Sequence, residues 1–427
     1  MTPRCLAALS SAVFLLTTTY AQQNPAFNDD EIVQLAVTRN REFLALRQRI
    51  RETEALLRQA GVRPYPTIET EVATGRPLGT QGEEEYSAGY FQPIETGNKR
   101  QKRTSVARFG VELSHVELLE KQRQLTFDVK SRYAEAVAAQ QKREAVRSLL
   151  QIDRKNYDLT SARVREGDAA PLEAALFLAE TNKTQAQQIT YDGRLSSALS
   201  ELRRTVGLPP SEALHIEFTF SPVKFLPPLE DLKQRAKDRS DVRAVRIVER
   251  QIGAEIDLAR AEGKPDLTAS ARYSHRNSQF DAFGLSAAGA TIPLRNRDNI
   301  LTFGLSIPVF TGNRNRGNIE AAEAREAAAR QQREFLEGAV PLEVENAYRR
   351  IEAAQQAVHL LATGVIEQSE NNLKVIREAY NLGQLRALDV LNEQRRMVDT
   401  RLSYVDAQLE ETQARIELER AVGGPLR

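Results

Sequence analysis

The sequence predicts a mainly α-helical protein with a small β part, built as two copies of one unit: a strand hairpin leading into long coiled-coil helical hairpins. Three observations predict it. First, two stretches read alike: in Leu301–Gly317, Pro308, Thr311, Gly312 and Asn313 answer Pro93, Thr96, Gly97 and Asn98 of Tyr90–Arg100. At both, a period of two in the apolar residues gives way to helical spacing, with Pro and Gly where the backbone changes state. Second, the copies keep a nearly constant offset. Pro308 and Tyr348 stand 215 positions after Pro93 and Tyr133, while Gly383, Leu388 and Val422 stand 216 after Gly167, Leu172 and Val206, so one inserted residue separates the registers. Third, Asn98 to Glu166 contains no proline and a single glycine, Gly110. A helix through it would run on the order of 100 Å.

The chain divides accordingly into residues 1–21, a secretory signal; 22–208, the first repeat; 209–228, a proline-rich connector; and 229–427, the second repeat. The signal is read from Arg4, the apolar run Leu6–Leu16, and Thr19-Tyr20-Ala21 as a small-residue cleavage site. Cys5, the only cysteine, would leave with it, so a mature chain without disulfides or thiolate metal ligands is expected.

In chain order, Asn28–Gln59 carries Ile32, Leu35, Phe43, Leu46 and Ile50 at helical spacing, which predicts one amphipathic helix capped at Asn28 or Asp29. Gly61, Pro64 and Pro66 stop it. Thr67–Thr74 sets Ile68, Thr70 and Val72 against Glu69, Glu71 and Ala73, and with the alternating Tyr86–Phe91 it predicts a β-hairpin. Val111, Leu118 and Leu125 give the long helix a seven-residue seam. Gly167-Asp-Ala-Ala-Pro171 breaks it, and a return helix covers Pro171–Thr205. In the connector, Ile216, Phe218 and Phe220 alternate among prolines, too apolar for a free linker and suited to a short strand or a packed girdle. The second copy repeats the pattern: helix Leu229–Glu262, strand Leu267–Ser274, a polar Gly-rich loop Arg276–Asn299, strand Ile300–Phe310 and a helical hairpin Asn313–Val422. Gly338-Ala-Val-Pro341 predicts a kink that the first copy lacks.

Bulk charge, 59 basic against 58 acidic residues, does not suggest a nucleic-acid partner. No stretch supplies the roughly 20 apolar residues of a spanning helix. Four strands cannot close a barrel, and an open sheet edge in lipid leaves backbone groups unpaired at several kcal/mol each, so strands in a membrane would require oligomerisation. Helices studded with charge and carrying only a narrow seam (Leu391, Val398, Val405) suit neighbours in a tube better than a globular core.

The signal, the duplication, the junctions Gln92–Arg100 and Pro308–Arg314, and Tyr380-Asn-Leu-Gly-Gln-Leu-Arg-Ala-Leu-Asp-Val-Leu391 together resemble the TolC family of outer-membrane efflux proteins across essentially the whole mature chain. Gln59–Pro64 and the Gly-Asn-Lys-Arg junction look closest to its CzcC-like heavy-metal members. The resemblance implies a homotrimer in the outer-membrane lipid whose chains each give four strands to a twelve-stranded barrel, continued by an α-helical barrel across the periplasm. It also implies docking to a periplasmic adaptor protein and an inner-membrane pump of RND type. The hairpin turns would form the docking tip, with Gly167, Asp168, Gly383 and Gln384. Pro93, Gly97, Pro308 and Gly312 would mark the strand–helix junctions. The family's acidic gate falls on Asp389, six residues beyond Gly383, with Asn392 in place of its second acid; Glu173, six beyond Gly167, could supply another set. The competing reading pairs Asp389 with Arg386 or Arg396 on exposed helix surface.

No catalytic residue, metal site or cofactor is assigned. His115, His215, His275 and His359 lack metal-ligand spacing, Ser286 has no nucleophile elbow, and Glu83, Glu84 and Glu85 read as a water-facing run beside the first surface loop. Two functions of different class remain: a passive export duct, for metals or for drugs or secreted products, and a periplasmic coiled-coil scaffold without a pore. Four alternating segments of near spanning length favour the duct.

Overall fold

The computed structural model describes residues 26–426 apart from 80–81, 221–224, 310–311 and 313. The signal reading lies outside these residues, as do Thr311 and Asn313. The elements run α1 (Asp29–Arg39), α2 (Arg41–Ala60), β1 (Thr67–Thr74), β2 (Glu84–Ile94), α3 (Lys99–Glu166), α4 (Pro171–Val206), α5 (Leu229–Ala236), α6 (Ser240–Glu262), β3 (Leu267–Leu285), β4 (Thr291–Ser306), α7 (Arg316–Leu360), a π turn at Leu361–Val365, α8 (Ile366–Asn381) and α9 (Ala387–Val422).

The expected single helix over Asn28–Gln59 is two. Asn40 holds an extended backbone (ψ 114°) while its side-chain oxygen caps α2 by accepting the Phe43 N–H at 3.0 Å. Its amide donates to the Thr205 carbonyl, and a Cβ on Gly207 would stand 2.9 Å from the Asn40 Cα. The end of α4 therefore occupies the place where a continuous helix would pass. The second copy breaks likewise at Arg239, between α5 and α6, against Gly423.

α3 is unbroken over 68 residues, and Gly110 interrupts nothing. Two matching cores clasp the middles of α3 and α7 together with the ends of α4 and α9. One joins Ile32, Val33, Ala36 and Phe43 to Val129, Tyr133 and Val137 of α3 and Leu202 and Val206 of α4; the other joins Leu232, Ala236 and Val242 to Val344, Ile351 and Leu418. Each fully buried side chain of this size contributes roughly 1.5–3 kcal/mol. The connector closes over the first core as a girdle: Ile216 forms a lone parallel bridge with Phe27, and the Gln141 amide donates to the Phe218 carbonyl.

In the second helical hairpin α7 keeps helical backbone through Pro341, with Val340 and Val344 buried, and a separate irregularity follows at the π turn, where the Thr363 hydroxyl donates to the His359 carbonyl. A π turn accommodates one extra residue within a helix. It lies between Tyr348 and Gly383, the interval in which the offset between copies grows from 215 to 216.

The four strands form one antiparallel sheet in the order β1-β2-β3-β4. The expected loop over Arg276–Asn299 is mostly strand. The ladder pairs Asn277 with Arg297 and Gln279 with Arg295, passes a bulge between Gln279 and Phe283, and reaches Leu285 opposite Thr291. Polar residues hid the alternation there, and the turn itself is confined to Ser286–Ala290, closed by the Ser286 N–H to the Ala290 carbonyl. Register divides the sheet into two faces. One carries Ile68, Val72, Tyr86, Tyr90, Tyr273, Leu301, Phe303 and Leu305, all exposed. The other carries Glu69, Glu71, Glu85, Arg272 and Arg276, joined by ion pairs of Arg272 with Glu69 and Glu71 and of Arg276 with Glu85. Glu84 and Glu85 thus point to opposite faces, Glu84 paired with Arg76 at 2.6 Å.

Candidate functional site at the helical-hairpin tip

The turns farthest from the sheet are built alike. Gly167 (φ 85°) and Gly383 (φ 75°) take the left-handed conformation that lets a helix terminate, and the next N–H returns across the end: Asp168 to the Arg163 carbonyl at 2.8 Å, Gln384 to the Ala379 carbonyl at 2.9 Å. A Cβ on either glycine would meet nothing within 4 Å, so within one protomer positive φ, not crowding, is what these positions require.

The helices restart with acids in their first turns. Asp389 is exposed, and its carboxylate accepts the Arg386 backbone N–H at 3.0 Å, which caps α9. It makes no ion pair with Arg386 or Arg396 among the described residues; Arg396 turns to Glu393. Glu173 is half-buried and accepts the Tyr380 hydroxyl at 3.1 Å. The two candidate gate acids therefore have different partners, one on its own helix and one across to α8.

Tyr380 is the hub that residue patterns alone did not assign. Its ring meets Phe177 edge-on, centroids 6.3 Å apart, and lies 5.6 Å from the Arg163 guanidinium, while its hydroxyl also stands 3.5 Å from that of Thr160. Burial raises its pKa. With Phe177, Ala387 and Leu391 it closes a small apolar cluster holding the ends of α3, α4, α8 and α9 together. Its place within the Tyr380–Leu391 motif was the available signal.

Farther along the helices is a buried polar layer. Asp153 is fully buried and accepts the Thr184 hydroxyl at 2.7 Å. Burial pushes its pKa up to about 6, opposed by the Thr184 bond and aided by the nearby Glu180. Glu180 accepts from Nε and Nη2 along one edge of the Arg395 guanidinium, which holds its pKa below the usual carboxylate range. Burial lowers the pKa of Arg377, whose Nε and one Nη find no hydrogen-bond partner among the described residues. The sequence signal was Asp153 standing where Val146, Leu149 and Leu150 set an apolar stripe.

At the sheet end the junctions differ in detail. Pro93 pairs opposite Thr268, and Gly97 (φ 67°) lies against Lys264, where a Cβ would meet Cδ at 2.9 Å. Lys99 ties this junction to the second copy through Asp266 at 2.7 Å. Pro308 lies just past β4 and Gly312 faces open space; positive φ is taken instead by Arg314 and Asn315. No group of three or more His, Cys, Asp or Glu placed to hold a metal occurs among the described residues.

A family model described as Outer membrane efflux protein matches residues 32–208 and 232–424. The chain is 22% identical over 393 residues to the cobalt-zinc-cadmium resistance protein CzcC of Cupriavidus metallidurans, covering 92% of this chain and 88% of that one. It is 23% identical to the outer membrane protein TolC of Vibrio cholerae, over 71% of this chain and 68% of the other. Among solved structures, the Campylobacter jejuni CmeC outer membrane channel superposes with a TM-score of 0.73 at 12% identity, covering 99% of this chain and 94% of that one.

Proposed function

Since the chain belongs to the outer membrane efflux protein family, we propose that it is the trimeric, passive duct of a tripartite pump, carrying heavy-metal cations across the periplasm and outer membrane. It is an outer-membrane channel protein reaching into the periplasm, and not an enzyme. The observation that carries the duct is the sheet: among the described residues, four strands with free edges at β1 and β4, one exposed apolar face and one ion-paired polar face. Three such sheets joined edge to edge close a twelve-stranded barrel, apolar outward and polar inward, and satisfy the edge groups that lipid cannot. The helices continue it as a tube.

In this reading the tip at Gly167, Asp168, Gly383 and Gln384 meets a periplasmic adaptor, which joins the duct to an inner-membrane pump of RND type. Threefold symmetry converges three copies of Asp389, with Glu173 behind them, on the mouth. Because Asp389 forms no side-chain ion pair among the described residues, its charge is available to passing cations. The metal substrate rests on similarity to the cobalt-zinc-cadmium resistance protein. Deleting the gene tests it: sensitivity to zinc, cobalt or cadmium is expected, and sensitivity to lipophilic drugs alone would replace metal ions by drugs as the cargo.

A further inference from the structure

We propose that Arg295 and Arg297 form a recognition strip for phosphate-bearing lipid headgroups of the outer leaflet. The inference rests on the barrel reading above, in which the apolar sheet face meets lipid and the hairpin loops point outward.

Arg295 and Arg297 lie two residues apart on β4, about 7 Å, and so project from the same face. Register makes it the face of Leu301, Phe303 and Leu305, because Arg297 opposes Asn277 and Arg295 opposes Gln279, while Leu301 opposes Tyr273. Going outward along the strand, the apolar band ends at a polar belt. There the Tyr273 hydroxyl donates to Asn299 at 2.8 Å, and His275 lies 2.8 Å from the same oxygen. Tyr86 stands in register beside His275. Tyrosines at this level mark the headgroup region of a membrane barrel.

Charge separates these arginines from the others in the sheet. On the polar face Arg272 and Arg276 each have a carboxylate in reach. Among the described residues, Arg295 and Arg297 make no ion pair or side-chain hydrogen bond, and the acid nearest their level on the same face, Glu84, is taken by Arg76. Barrel closure would not neutralise them either. β1, the strand it sets beside β4, offers Ile68, Thr70, Val72 and Thr74 on this face, with no carboxylate. Two guanidinium groups in a row, fixed on a strand and matched to phosphate geometry, are left for the lipid.

The test is native mass spectrometry of the detergent-solubilised full chain with equal amounts of bis-phosphorylated lipid A and zwitterionic phosphatidylethanolamine. Wild type is expected to retain lipid A at least fivefold better than R295Q/R297Q, with R295K/R297K intermediate, R51Q on α2 like wild type, and phosphatidylethanolamine retained equally by all. Trimers that retain lipid A equally in wild type and R295Q/R297Q would overturn the strip while leaving the barrel intact. Loss of lipid A from wild type in millimolar inorganic phosphate would also overturn it, by showing an unselective anion site. Monomers that carry no lipid would instead remove the barrel reading on which it stands.

Discussion

Tyr380, in the last turn of α8, donates its hydroxyl to Oε2 of Glu173, in the first turn of α4, at 3.1 Å. This bond joins the second helical hairpin to the first at the end where both reverse. Tyr380→Phe keeps the ring against Phe177 and removes only the bond, so a loss of about 1 kcal/mol is expected. Glu173→Gln still accepts from Tyr380 and should cost less. If the bond helps hold the tip shut, single-channel conductance in planar bilayers rises for Tyr380→Phe more than for Glu173→Gln; equal conductance in all three would assign the pair to stability alone.

Asp153 gives a pH signature. Its pKa of about 6 in the folded protein lies above the usual 3.8, so the fold binds its proton more tightly than the unfolded chain does. Its stabilising contribution is full below about pH 4 and is lost as pH rises through about 6. The cost at neutral pH is on the order of 3 kcal/mol. Asp153→Asn should therefore raise the melting temperature at pH 7.5 and change it little at pH 4.5. A gain of equal size at both pH values would show that Asp153 is not protonated in the fold.

Gly383 separates backbone demand from partner demand. Asn tolerates the left-handed region and Leu does not, a difference of about 1 kcal/mol confined to the turn. Since no atom lies within 4 Å of a Cβ there, both variants should trimerise. Export lost in Gly383→Leu and in Gly383→Asn alike would point to an adaptor packing on bare backbone. Export retained in both would make the glycine a helix stop only.

Asp389 makes a cap and, in the proposed trimer, a charge at the mouth. Asp389→Asn retains an oxygen to accept the Arg386 N–H and removes the charge. Block by a trivalent cation added on the periplasmic side should weaken markedly in Asp389→Asn as in Asp389→Ala, with thermal stability nearly kept in the former. Block equal to wild type in both would leave the residue as a cap.

The helices were legible because proline and glycine are scarce within them and their seams recur, and the duplication because insertions are few. The break at Asn40 was not, since its cause lies 165 residues away at Thr205. The π turn left one trace in the sequence, the one-residue change in offset between Tyr348 and Gly383. The outer half of the β3–β4 hairpin was hidden because Arg295, Arg297 and Asn299 alternate as polar groups rather than apolar ones. At the tip, sequence named the acids and the glycines but not Tyr380, whose role comes from contacts with three helices.

In the proposed trimer the free edges of β1 and β4 close on further copies of the chain. Native mass measurement of the full-length protein extracted from outer membranes in mild detergent tests it most directly. A mass of three mature chains, retained on dilution, is the predicted result; a water-soluble monomer or dimer with its full helical content would contradict it.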